Sequence, residues 1–219
     1  MKEKTIDEHR SLEIISQMIA DTSATIDNQS GKYFLLWGYT TVIVSVFEYI
    51  AQVCHLPMPL CLWAWWLIPL VGGIGTILFT IKEKREAKRP KSYLDRSVSA
   101  VWRVFGASWG MLFVAAIVYG TNLLFLTVMM MAMGTVITGM ICRHKVLIIA
   151  GKAGMVLSLL FPARHLLMTE YSDAIAASGI ANNEAVLYIE ILIFALIFAV
   201  MMIIPGHILR NRAKQNKDA

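Results

Sequence analysis

The sequence predicts an all-α polytopic membrane protein. Six transmembrane helices are expected as three hairpins, with both termini cytoplasmic and an amphipathic cytosolic helix at the N-terminus. Three observations predict this. First, 57% of the 219 residues are hydrophobic and only 16% are charged, and the mean hydropathy is +0.61. A soluble domain carries about 45–50% apolar and about 25% charged residues. Second, the charges are segregated into the connectors between long apolar runs. Third, the basic connectors alternate with connectors that are nearly free of Lys and Arg. The opening MKEKTIDEHR is polar, so no cleavable signal peptide is expected.

Residues 1–31 form the arm. Thr5 and Glu8 make a capping box, and Gly31 has the chemistry of a helix stop. Leu12, Ile15, Ile19, Thr22 and Ile26 recur at three-four spacing. That seam suits self-association, packing beneath the bundle, or a cytosolic protein partner. Its polar face is acidic, which argues against lying on anionic lipid.

The spans follow in residues 32–205. A helix needs about 20 apolar residues to cross the hydrocarbon. The segments 33–53, 61–81, 98–119, 122–142 and 186–204 approach or meet that length, while 146–161 is shorter and contains Lys152. None alternates apolar with polar residues, so strands are not expected.

Charge sets the orientation. The second connector carries Lys82, Lys84, Arg85, Lys88, Arg89, Lys91 and Arg96. The fourth carries Arg143 and Lys145, and the tail 206–219 carries Arg210, Arg212, Lys214 and Lys217. Lys and Arg mark the cytoplasmic side, here the inner face of a bacterial cytoplasmic membrane. Trp63, Trp65 and Trp66 sit at the outer end of the second span, and Tyr33, Trp37 and Trp102 near inner ends, where aromatic rings favour the interface.

This topology puts CHLPMPLC, residues 54–61, in the first outer turn. Pro57 and Pro59 reverse the chain. Three readings stay open: a plain turn, a Cys54–Cys61 disulfide on an oxidising side, or a weaker soft-metal set of Cys54, His55, Met58 and Cys61. No other metal site is expected.

Ionisable residues within or beside the spans are the candidate ligand-binding residues: Lys152, Arg103, Glu48, Glu190 and Arg164. Charge in the hydrocarbon is costly, so each requires a reason. Arg103 is close enough to the inner end of its span to snorkel. Glu48 or Glu190 has the position to pair with Arg164 at the outer face. Lys152 lies about 9 Å into its span at 1.5 Å per residue, and is the hardest to explain. These charges either fix helix order or line a path for an anionic ligand around Lys152 and Arg103.

Some motifs mislead. GASWG, 106–110, matches the pattern around a nucleophilic serine but lies within an apolar helix, without the strand-to-helix elbow that chemistry requires. A rhomboid-type protease needs a histidine at the serine's depth, and the nearest candidate, His207, lies at the inner end of the last span. A close-packed Gly106–Gly110 helix face is expected instead. AGKAG, 150–154, lacks the first glycine and the Ser/Thr of a phosphate loop, and again suits helix packing. With the histidines outside the spans or at their edges, no haem or other cofactor is expected.

The pattern resembles small multi-span bacterial membrane proteins. Membrane lipids and a protein partner, or a second copy, are the expected contacts; nucleic acid is not. The expected function is that of a non-enzymatic accessory or regulatory subunit. The alternative is a small transporter or permease subunit, and a lipid-directed enzyme has the least support.

Overall fold

A computed structural model describes residues 8–86, 93–119, 123–171, 178 and 188–218, with side-chain surroundings from Ser30 onward. Within that range every regular element is a helix: α1 Glu8–Val53, α2 Met58–Ala64, α3 Leu67–Glu86, α4 Tyr93–Tyr119, α5 Leu124–Ile141, α6 Lys145–Ser158 and α7 Leu160–Glu170. There follow α8 Ile189–Phe198, a π-helical turn Ala199–Ile203, and α9 Ile204–Asp218. Five stretches are long and apolar enough to cross a membrane: Ser30–Val53, Arg96–Ala116, Leu124–Ile141, Lys145–Glu170 and Ile189–Gln215.

The arm and the first span are one helix of 46 residues. This corrects the expectation that Gly31 ends the arm. Gly31 is buried, and a Cβ there would stand 3.0 Å from the Gly206 carbonyl oxygen and 3.3 Å from the Arg210 amide nitrogen. The glycine serves backbone approach between α1 and α9 and has no capping role. Thr5, half of the expected capping box, lies outside the described residues. So do the side chains of Leu12, Ile15, Ile19 and Ile26.

Proline explains where the other helices differ from expectation. The span expected at 61–81 is broken at Trp65–Trp66 into α2 and α3. Pro69, the third residue of α3, has no N–H for the Trp65 carbonyl, so the helix restarts rather than continues. The span expected at 146–161 is longer than its apolar core. Its helices run from Lys145 to Glu170 through a turn at Leu159, with Pro162 third in α7, and the extension takes in His165. The last helix does not stop at Ile204. Pro205 cannot donate to the Met201 carbonyl, and the chain absorbs the loss in a π turn, where the Ile204 amide bonds the Ala199 carbonyl. The basic tail then continues as α9 to Asp218.

The core lies between α1, α5, α6 and the α8–α9 helix, and is built from Phe34, Val128, Ala132, Leu147, Phe194, Phe198, Met201 and Leu209 among others. Along α1 the buried stripe is Gly31, Phe34, Gly38, Thr41, Ser45 and Glu48, a strict three-four repeat. Opposite it run Met202, Gly206, Leu209 and Ala213, all buried. The pairing is antiparallel: Gly31 meets Gly206, and Gly38 meets Met202 and Ile203. Lipid tails are as apolar as Leu, so close packing rather than hydrophobic transfer holds such a seam within a bilayer.

The α5–α6 hairpin is equally tight. A Cβ on Gly139 would stand 2.8 Å from the Ile148 amide nitrogen, and one on Gly151 would stand 2.8 Å from that of Val136. Gly154 and Ala150 of the AGKAG motif are buried, with Gly154 facing Met201 and Ala132. Gly106 and Gly110 behave differently. An added Cβ would meet nothing within 4 Å at either position, so the expected close-packed face is not closed within the chain.

Tyr33, Trp37 and Trp102 do more than mark an expected interface. Trp37 Nε1 donates to Thr76 Oγ1 at 3.1 Å, and Tyr33 Oη donates to Glu83 Oε2 at 3.0 Å, so α1 is joined to α3. Trp102 Nε1 donates to Thr138 Oγ1 at 3.1 Å, and the Trp102 ring meets Phe34 edge-on, so α4 is joined to α5 and α1. At the far end Trp65 packs on Phe194, and Trp66 packs on Phe113 of α4.

Candidate functional site

The CHLPMPLC turn closes α1 with a Schellman motif. The Leu56 amide bonds the Ala51 carbonyl at 2.9 Å and the His55 amide bonds that of Gln52 at 3.1 Å. His55 occupies the left-handed position, φ 54°, which usually holds glycine. Pro57 then caps α2, with Pro59 in its first turn. Cys54 and Cys61 are not disulfide-bonded in this structure. The cap separates their environments: Cys54 is exposed, while Cys61 is buried and directs its Sγ–H toward the Leu56 carbonyl at 3.9 Å. Among the described residues no three His, Cys, Asp or Glu side chains gather as metal ligands, and the Met58 side chain lies outside those described.

The intramembrane charges divide into two groups. Arg164 and Glu190 are brought together as a hydrogen-bonded ion pair between α7 and the first turn of α8. Both are about four-fifths buried, with 20% and 18% of the side chains exposed. This pair ties two spans where the segment between them is long. Glu48 does not join it. Instead Glu48 lies inside the α1 seam, 1% exposed, where its Oε1 accepts a hydrogen bond from Gln52 Nε2 at 2.9 Å. Trp65 and the buried Cys61 stand beside it.

Arg103 and Lys152 are both exposed. Arg103 folds back along α4, its Nε donating to the Ser99 carbonyl at 3.3 Å, the geometry of a snorkelling side chain. Lys152 stands on α6 one residue beyond Gly151, whose face is occupied by α5. Its neighbours on the exposed face are Ile149, 68% exposed, and Val156, 67% exposed. A shallow cavity of about 260 Å³ opens between α6 and the last helix, lined by Val146, Ile149, Ala150, Val200 and Pro205 among others, and Lys152 is not part of that lining. The two cations sit on helices that each pack on α5, and no described contact joins them.

Two features escaped the residue-by-residue reading. One is the polar stretch of the α1 seam, Thr41–Ser45–Glu48–Gln52. Its three-four spacing is present in the sequence, but hydropathy does not single it out, and the depth of Glu48 points to Arg164 rather than to its own helix face. The other is the Tyr39–His207 pair, Oη to Nε2 at 2.7 Å with the rings edge-on, between α1 and α9. With 168 residues between the partners, no local pattern announces it.

Comparison with protein-family models, with curated proteins and with solved structures gives no match for this chain.

Proposed function

We propose that the protein is a non-enzymatic accessory or regulatory subunit of a bacterial cytoplasmic membrane, acting through a protein partner that docks on the outward face of α6. The chain crosses six times, with α2 and α3 together as the second crossing, and both termini are cytoplasmic. The antiparallel α1–α9 seam supports the shared side of the two ends, since each helix carries its terminus past the same end of the bundle.

One observation carries the partner reading: Lys152 stands between Ile149 and Val156 on an exposed apolar helix face. An ammonium group facing hydrocarbon costs about 2.5–3.5 kcal/mol at mid-span. A partner helix that brings a carboxylate or a carbonyl cluster to this face offsets that cost. The apolar cavity that Ile149 lines offers such a helix a place for one side chain. The seam of Leu12, Ile15, Ile19 and Ile26 is a further surface for the same partner. The alternative, a permease subunit with an anionic path near Arg103 and Lys152, draws no support from two cations that are both exposed and share no described contact.

The test is a photo-crosslinking residue at position 149 or 156 in native membranes. The proposal expects a protein adduct that persists with Lys152→Arg and is lost with Lys152→Leu in a folded bundle. Adducts to lipid alone would overturn it.

A further inference from the structure

We propose that Glu48 and Ser45 form an internal binding site for one monovalent cation, either a proton with its water or a sodium ion. This does not rest on the partner reading. Glu48 is 1% exposed and Ser45 is fully buried, three residues apart on one face of α1. Glu48 Oε1 is bonded to Gln52 and the Trp65 indole stands within reach of the carboxylate, but Glu48 Oε2 and Ser45 Oγ are both buried with no hydrogen-bond partner of their own. Orphaned polar atoms of this kind are rare in folded proteins, and a neighbouring pair of them calls for a shared ligand. The ligand must also bring charge. No described Lys, Arg or His is paired with Glu48, and the titratable group beside it is Cys61, which is buried and soft. An isolated carboxylate in an apolar interior is strongly disfavoured unless it is neutralised.

The donor set selects the class of ion. Carboxylate and hydroxyl oxygens are hard ligands that suit a proton, water or an alkali cation rather than a soft metal. One negative charge and two unsatisfied oxygens are too few for a divalent cation, which takes six or more oxygens. Trp65 stands beside the carboxylate and packs in turn on Phe194 of α8, so that side of the site is apolar. Binding is therefore a neutralising event inside the seam that joins the two ends of the chain. The site lies next to the Cys54–Pro57 turn, which gives it a short route to one face of the membrane.

The experiment is infrared spectroscopy of the full chain reconstituted in phosphatidylcholine vesicles, comparing the wild type with Glu48→Gln and Ser45→Ala. Proton binding is read as a protonated-carboxyl stretch that Glu48→Gln abolishes and sodium chloride leaves unchanged. Sodium binding is read as carboxylate stretches that move when sodium chloride, but not choline chloride, is added, and that Glu48→Gln abolishes. In either case Ser45→Ala, which keeps the carboxyl and tests the site if Glu48→Gln does not fold, shifts the midpoint about tenfold, the equivalent of one hydrogen bond. An ionised Glu48 band that answers neither acid nor sodium overturns the proposal, as does a Ser45→Ala response identical to wild type.

Discussion

Gly31 and Gly206 lie face to face across the α1–α9 seam, so close that a methyl group on Gly31 would stand 3.0 Å from the Gly206 carbonyl oxygen. The contact falls within a helix of 46 residues that runs through Gly31 without a break. Because the obstructing atoms are backbone, they cannot move aside as a side chain would. Gly31→Leu is expected to lower stability by about 1–3 kcal/mol, the usual cost of overpacking. Reversible unfolding in mixed micelles measures it. Gly106→Leu on α4, where an added carbon meets nothing, is the control and should change stability little.

The Trp102–Thr138 hydrogen bond fastens α4, which otherwise buries little of itself against the chain. Interhelical hydrogen bonds in membranes average about 0.6 kcal/mol by double-mutant cycles. A cycle of Trp102→Phe and Thr138→Val should return a coupling near that value. The Trp37–Thr76 pair between α1 and α3 should return a coupling of similar size.

Arg164 and Glu190 hold α7 to the start of α8. Removing either alone takes this contact from a mostly buried charge. Arg164→Gln and Glu190→Gln should each be more damaging than the double variant, with a coupling of about 1 kcal/mol. Salt should weaken the pair only slightly, because both side chains are about four-fifths buried.

His55 sits at φ 54° in the Schellman cap of α1. A non-glycine residue in the left-handed region costs roughly 1–2 kcal/mol. His55→Gly is expected to raise stability by about 1 kcal/mol, the relief of that strain less the greater freedom glycine loses on folding. If His55 were a metal ligand, the substitution would instead remove a metal-dependent shift in melting, which the account does not expect.

Hydropathy made most of the fold legible, because a long apolar run has few solutions in lipid besides a helix. Its boundaries were less legible. Pro69 lies inside an apolar run, Pro162 and Pro205 stand one residue past the expected ends of theirs, and hydropathy is blind to a missing N–H. The breaks at Trp65–Trp66 and Leu159 and the π turn before Pro205 all follow from that one chemical absence. Gly31 was misread because local chemistry makes glycine a helix stop as readily as a contact point. Only its partner, 175 positions on at Gly206, distinguishes the two. Of the candidate site, depth alone offered Arg164 two partners, Glu48 and Glu190, and packing chose Glu190. The orphaned oxygens of Glu48 and Ser45 were not, since burial of a polar atom without a partner is a property of packing.

The central claim is that the two ends of the chain share one face of the membrane while the Cys54–Pro57 turn reaches the other. Cys54 is exposed in that turn and Cys61 is buried below it. In intact cells, a membrane-impermeant maleimide applied from outside should label Cys54, spare Cys61 until the protein is unfolded, and leave cysteines placed at either terminus unlabelled until the membrane is breached. Labelling of one terminus but not the other from outside, or failure to reach Cys54, would contradict the account.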